Sequence, residues 1–166
     1  MAFIVAAIRG NKSPAPAVIT YRPCTARITN SADQTIPAST WTVVQFNTAR
    51  WDSDGFWNAS NPNRLTIPAG LDGVYSIGAS FSLYMDYGLA FIVYAIRLNG
   101  ANYLCYSRYY PGSPRTPYAG TISTVFPLAA GDYLEFMVYQ YSGSGVTLYS
   151  VAPSSPELYL MRLVNG

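Results

Sequence analysis

From Cys24 onward apolar and polar residues alternate with a period of two, and turn signals such as Asn30-Ser31, Asp54-Gly55, Asn99-Gly100 and Gly143-Ser144-Gly145 break the rhythm every 8 to 15 residues. Successive side chains of a strand point to opposite faces, so this pattern predicts short antiparallel strands rather than helices. The strands fall over 24–30, 40–48, 64–67, 73–85, 89–98, 101–107, 119–128, 132–142, 146–150 and 157–164. That number of strands with tight turns predicts an all-β fold, a two-sheet antiparallel jelly-roll sandwich. Along the fourth of these strands Tyr75, Ile77, Ala79, Phe81 and Leu83 share one face, the expected core, while Ser76, Gly78, Ser80 and Ser82 share the other. A small, uncharged face on a central strand leaves room for another backbone, which predicts a subunit contact there. An arginine at Ser80 is then expected to disturb assembly.

Residues 1–23 do not follow this rhythm. An apolar run containing Phe3, Ile4, Val5 and Ile8 ends at Arg9-Gly10, and Pro14 and Pro16 frame an extended spacer behind it. The chain therefore divides into an N-terminal arm, 1–23, and a jelly-roll domain, 24–166. An apolar arm held away from its own domain needs a surface elsewhere, and an extended segment can add a strand to an open sheet edge. The arm is expected to anchor the protein to a neighbouring subunit or a larger particle. The alternative is that residues 2–8 form an ordinary strand of their own sandwich.

Composition narrows the chemistry. Only 11% of the residues are charged, less than half the usual ~25%, so part of the surface is expected to face other protein and the chain to be an oligomer. A net charge of +2 gives no electrostatic footprint for nucleic acid or an anionic membrane. The longest apolar run, Leu89 to Ile96, falls far short of the ~20 residues of a membrane-spanning helix. The absence of His removes the histidine-based triads and zinc sites. Asp33, Asp72 and Asp132 sit at turns, where capping explains them, and no pair of carboxylates is set up for glycoside hydrolysis. No catalytic residue, cofactor or metal is expected.

Two loops invite closer reading. Asp52-Ser53-Asp54-Gly55, with Asn58, Asn61 and Asn63, offers hard oxygens for calcium, but Phe56 occupies a ligand position and the closing Glu is missing, so a turn-rich loop is preferred. Residues 103–118 combine tyrosines and arginines, the residue types enriched at binding surfaces, and make Tyr106, Arg108, Tyr109, Tyr110 and Arg115 a candidate recognition loop. Packing of these tyrosines across the sandwich or between subunits is the alternative. Cys24 and Cys105 are expected to be reduced, because residues 1–20 lack the pattern of a secretory signal.

The segments TWTVVQFNTARWDSDGFW, NRLTIPAGLDGVYSIGASFSL, AFIVYAIRLNG, TISTVFPLAAGDYLEFMVYQYSG and SPELYLMRL, in this order, resemble the globular head of complement component one-q and the related tumour-necrosis-factor jelly roll. The resemblance spans residues 24–166. It rests on Pro68 followed by Gly73-Val74-Tyr75, on Leu98-Asn99-Gly100, on Leu128-Ala129-Ala130-Gly131-Asp132 and on the apolar C-terminal strand. It implies a homotrimer in which one sheet of each subunit faces the three-fold axis, with Ser76, Gly78, Ser80, Ser82, Tyr159, Met161 and Leu163 at the interface. The segments also look similar to jelly-roll modules of tailed-phage virion proteins. That likeness implies a non-enzymatic structural protein, a capsid decoration protein on the surface of a bacteriophage virion, partnered by the major capsid protein or another virion protein. The alternative it implies is a receptor- or carbohydrate-binding head of a tail fibre or bacterial surface protein, taking a host-surface glycan.

Overall fold

The computed structural model describes residues 24–85, 90–111, 116–151 and 153–165. The arm, with Phe3, Ile4, Val5 and Ile8, lies outside the described residues, as does Arg115. The strands are β1 (Thr25–Thr29), β2 (Gln34–Ile36), β3 (Thr42–Val43), β4 (Thr48–Asp52), β5 (Leu65–Thr66), β6 (Gly73–Met85), β7 (Phe91–Leu98), β8 (Asn102–Tyr109), β9 (Thr116–Leu128), β10 (Tyr133–Tyr141), β11 (Val146–Leu148) and β12 (Glu157–Asn165).

They form the two antiparallel sheets that the alternation predicts. In the first, β6 is central: β9 pairs with it from Gly73 to Met85, β12 and β11 take its other edge, and the sheet continues outward through β1 to β4 and through β2. The second runs β3, β10, β7, β8, with β5 also on β10. The sheets close on each other through side chains of alternate positions. Tyr75, Ile77, Ala79, Phe81 and Leu83 of β6 are buried as expected, facing Ile92, Tyr94 and Ile96 of β7 and Leu134, Phe136 and Val138 of β10. Each fully buried side chain of this size contributes about 1.5–3 kcal/mol, and Phe81 is their meeting point, with ring centroids 4.9 Å from Tyr94, 5.7 Å from Phe136 and 5.9 Å from Tyr118. Asn99 (φ 53°) and Gly100 (φ 71°) both take left-handed backbone at the centre of the turn between β7 and β8, which the Ala101 amide closes by donating to Leu98 O (3.1 Å), and this twist matches a hairpin.

The strand expected over 40–48 is divided between the sheets. Thr42 and Val43 pair with β10, whereas Thr48 onward pairs with β1. Between them the Val44 amide still donates to Phe136 O (2.8 Å) and the Asn47 amide already donates to Thr29 O (3.1 Å), so one apolar run crosses the edge of the sandwich. Alternation is blind to such a crossing because Val44 and Phe46 are buried on either side of it. Three bulges, each setting two residues against one, add Arg50 in β4, Leu104 in β8 and Leu163 in β12.

Tyr75 gives the core a pH dependence. Its hydroxyl donates to Leu71 O, and burial pushes its pKa from 10.0 up to about 12. The folded state therefore keeps a proton that the unfolded chain releases near pH 10, and this share of stability is intact below pH 10 and lost as the pH rises towards 12. In Tyr75→Phe, the fall of the urea midpoint between pH 10 and 12 is expected to be shallower. An equally steep fall would remove Tyr75 as its source.

Candidate functional site

Two surfaces are built differently from the rest of the molecule. The first is the outward face of the first sheet. Register places Ser76 beside Met161, Gly78 beside Tyr159 and Ser80 beside Glu157, while on the opposite edge of β6 the same residues lie beside Val125, Ser123 and Thr121. Ser82 lies beside Ala119. Leu163 is the extra residue of the β12 bulge, so beyond it Val164 takes over the register, opposite Val74. At Gly78 the missing side chain has a cause within the chain: a Cβ there would sit 2.3 Å from the Tyr159 ring. The Tyr159 ring lies across the glycine, and no second backbone is needed to explain it.

A charged cluster sits within this face. Glu157 is buried and accepts from Arg27 Nε (2.7 Å) and from Arg50 Nε (2.5 Å). The bulge at Arg50 lets a second guanidinium reach the carboxylate. The Arg27 guanidinium also lies 5.4 Å from the Trp51 ring centroid and 5.9 Å from that of Tyr159. A groove of about 600 Å³ runs over Arg27, Trp51, Ser76, Ser80, Tyr159 and Met161. Val125, 58% exposed, and Val164 extend the apolar surface. Sequence reasoning located the serines, Tyr159 and Met161 but missed the Glu157 cluster, because its assembly depends on a bulge that no local pattern marks.

The second surface is the outward face of the second sheet. Here a bulge matters again: Ile96 is opposite Cys105 but Arg97 is opposite Tyr103, so Leu104 is extra and Tyr103 joins Tyr106 and Arg108 on one face. Trp41 packs on Tyr103 (5.1 Å between centroids) and Tyr139 (5.5 Å). Phe91 stacks on Tyr141 (5.4 Å, 9° between planes), and the Arg108 guanidinium lies 4.9 Å from its centroid. Trp41, Phe91, Tyr103, Tyr106 and Tyr139 border a groove of about 490 Å³ over Val93. Arg108 Nη1 donates to the Tyr110 hydroxyl at 3.2 Å, a contact that raises the pKa of an already basic group.

The recognition loop expected from sequence is thus only partly assembled. Tyr106, Arg108 and Tyr110 share the outer surface, but Tyr109 turns inward and stacks on Tyr118 at 4.2 Å. A β-strand cannot present consecutive residues to one side, which is why Tyr109 parts from its neighbours. Inside, the Tyr118 hydroxyl lies 2.9 Å from that of Tyr94, and burial, followed by this hydrogen bond, pushes its pKa up. Trp41, Phe91, Tyr139 and Tyr141 were not among the expected residues. The alternation of β10, with Tyr139 and Tyr141 out of phase with the apolar Phe136 and Val138, carried the signal.

The loops behave as turns. Asp52 spends both carboxylate oxygens on backbone: Oδ1 accepts from the amides of Gly55 (2.9 Å) and Phe56 (3.0 Å), and Oδ2 accepts from that of Trp57 (2.8 Å). Asp33 accepts from the Ser150 amide, Asp132 from the Ala129 amide, and Asp72 from the Ala130 amide, which holds the Asp72 carboxyl below its ordinary pKa. Among the described residues no cluster of three His, Cys, Asp or Glu side chains is placed to hold a metal. Cys24 and Cys105 form no disulfide with each other, and burial pushes the pKa of Cys105 up.

No protein-family profile and no curated protein matches this sequence. Solved structures do match it in fold. Murine APRIL at pH 8.5 superposes with a TM-score of 0.63 at 12% identity, covering 86% of this chain and 100% of its own. Eiger TNF from S. frugiperda gives 0.60 at 15% identity over 87% and 96%. The globular domain of zebrafish complement 1qA protein gives 0.58 at 12% identity over 86% and 98%. The chain is a jelly roll of the tumour-necrosis-factor and complement one-q type, the fold that its segments resemble.

Proposed function

We propose that the protein works by assembly and attachment rather than catalysis, as a homotrimeric virion structural protein that decorates the head of a tailed phage. The observation that carries this reading is the outward face of the first sheet. Trp51, Tyr159 and Met161 line a groove beside a buried carboxylate held between two arginines, and exposed Val125 and Val164 carry the apolar surface farther along the same face. Apolar surface gathered round a fixed polar centre is the composition of a subunit interface. The jelly-roll fold, the likeness of the segments to phage virion modules and the apolar sequence of the arm support the same reading. Light scattering is expected to return three times the 18.1 kDa chain mass. A monomeric mass at micromolar concentration would overturn the trimer.

Attachment to the particle is tested separately. Deletion of residues 1–12 is expected to leave a folded trimer that no longer binds empty capsids. If the truncated chain unfolds or aggregates, the segment belongs to the domain and is not an anchor.

A second reading, a receptor- or carbohydrate-binding head, is favoured by the aromatic groove on the second sheet. It lies on the opposite layer of the sandwich from the candidate trimer face, so occupation of one surface leaves the other open.

A further inference from the structure

The outer groove has three properties that together specify a ligand. Its rings are open to solvent, with Tyr106 70%, Tyr103 44% and Trp41 38% exposed. An exposed aromatic surface of this kind leaves large apolar area in water and is a mark of a binding site. Tyr103, Tyr106 and Tyr139, each with a hydroxyl able to hydrogen-bond, line a space of about 490 Å³, within the roughly 300–1,000 Å³ of small-ligand sites. Its third property is charge: among the described residues that line it, Arg108 is the one that carries a charge.

The position of that arginine narrows the choice. Glu135, the carboxylate on this sheet's outer face, is held by Arg97, at 2.9 Å from Nε and 2.8 Å from Nη2. The described partners of Arg108 are a neutral hydroxyl and the Phe91 ring. The Phe91 ring, its centroid 4.9 Å away, and the Tyr110 hydroxyl hold the guanidinium without neutralising it, and among the described residues no carboxylate pairs with it, which suits the fork-to-fork pairing that a carboxylate makes. Aromatic rings beside such a fork suit a molecule with flat C–H faces, several hydroxyls and one acid group.

We propose that the groove between Trp41 and Arg108 binds an acidic carbohydrate, with a pyranose ring packed on the Trp41, Tyr103 and Tyr139 rings and the carboxylate of a sugar acid paired with Arg108. This deepens the second reading above and rests on it. Sialic and uronic acids share this chemistry, and the probes separate the two.

The test is calorimetric titration of the full chain with 3′-sialyllactose and trigalacturonate, using lactose and maltotriose as uncharged controls. At least one acidic probe is expected to bind, about tenfold or more tighter than its control. Arg108→Gln is expected to bring the acidic probe down to the level of the control, Arg108→Lys to restore part of the difference, and Trp41→Ala to abolish binding of both. Circular dichroism checks that each variant is folded, and the exposure of both side chains predicts that it is. Binding of neutral and acidic probes with equal affinity, lost in Trp41→Ala but unchanged in Arg108→Gln, would overturn the acid assignment and leave the recognition head standing. Binding of none of the four probes would overturn both.

Discussion

Val125→Arg is expected to convert the proposed trimer into folded monomers at micromolar concentration. Val125 lies on β9 beside Ser76, at the open edge of the first sheet, and is 58% exposed in the single chain. An arginine there costs the isolated subunit almost nothing, since its charge stays in water. In a trimer closed through this face each subunit would bury a guanidinium to which Ser76, its neighbour across the sheet, offers no carboxylate, and an uncompensated buried charge costs several kcal/mol. Three copies act together, and every 1.4 kcal/mol is a factor of ten in the association constant. Sedimentation with circular dichroism reads both halves of the expectation: mass falls and strand content stays. A trimer that survives Val125→Arg would move the interface away from β9. Ser80→Arg, the substitution that the sequence pattern suggests, is the weaker probe. Ser80 lies directly across from Glu157, whose carboxylate already holds Arg27 and Arg50, so a third guanidinium there would disturb the subunit's own charged cluster as well as assembly and would not report on assembly alone.

That contrast shows what the chain disclosed before its structure was seen. β6 was legible to the residue because the nine positions from Tyr75 to Leu83 alternate without interruption and turn glycines precede them. The hairpin at Asn99-Gly100 was legible because few residues accept left-handed backbone. The crossing at Val44 to Phe46 was not, since a residue buried against either sheet looks the same in sequence. The two surfaces failed for a related reason. Period-two reasoning sorts residues correctly until a bulge resets the phase, and bulges at Arg50 and Leu104 lie within the two candidate sites. The first brings a second arginine to Glu157, the second turns Tyr103 outward, and neither is announced by a glycine or proline. Tyr109 shows the opposite error, in which a cluster of tyrosines was read as one surface although the strand must divide it.

Gly120 is the position where a single methyl group is expected to be felt through the whole core. It is buried on β9, directly across from Phe81, and a Cβ there would sit 2.4 Å from Phe81 Cε1, 2.7 Å from Cζ and 3.1 Å from Tyr118 Cε1. Phe81 cannot retreat freely, because its ring is also packed on Tyr94 and Phe136. Gly120→Ala is therefore expected to destabilise the fold by about 1–3 kcal/mol, the range of overpacked sites. Phe81→Ala leaves a cavity at the meeting point of the two sheets and is expected to cost about 3–5 kcal/mol. A third variant ties the two together. Phe81→Leu removes the ring edge that the alanine methyl would strike, so Gly120→Ala is expected to cost less in that background than in the wild type, with a coupling of about 0.5–3 kcal/mol. Urea unfolding of the four proteins of this cycle reads the coupling, at one protein concentration because the stability of an oligomer depends on it. Strict additivity would mean that the glycine is kept for its backbone and not for the phenylalanine that lies across it.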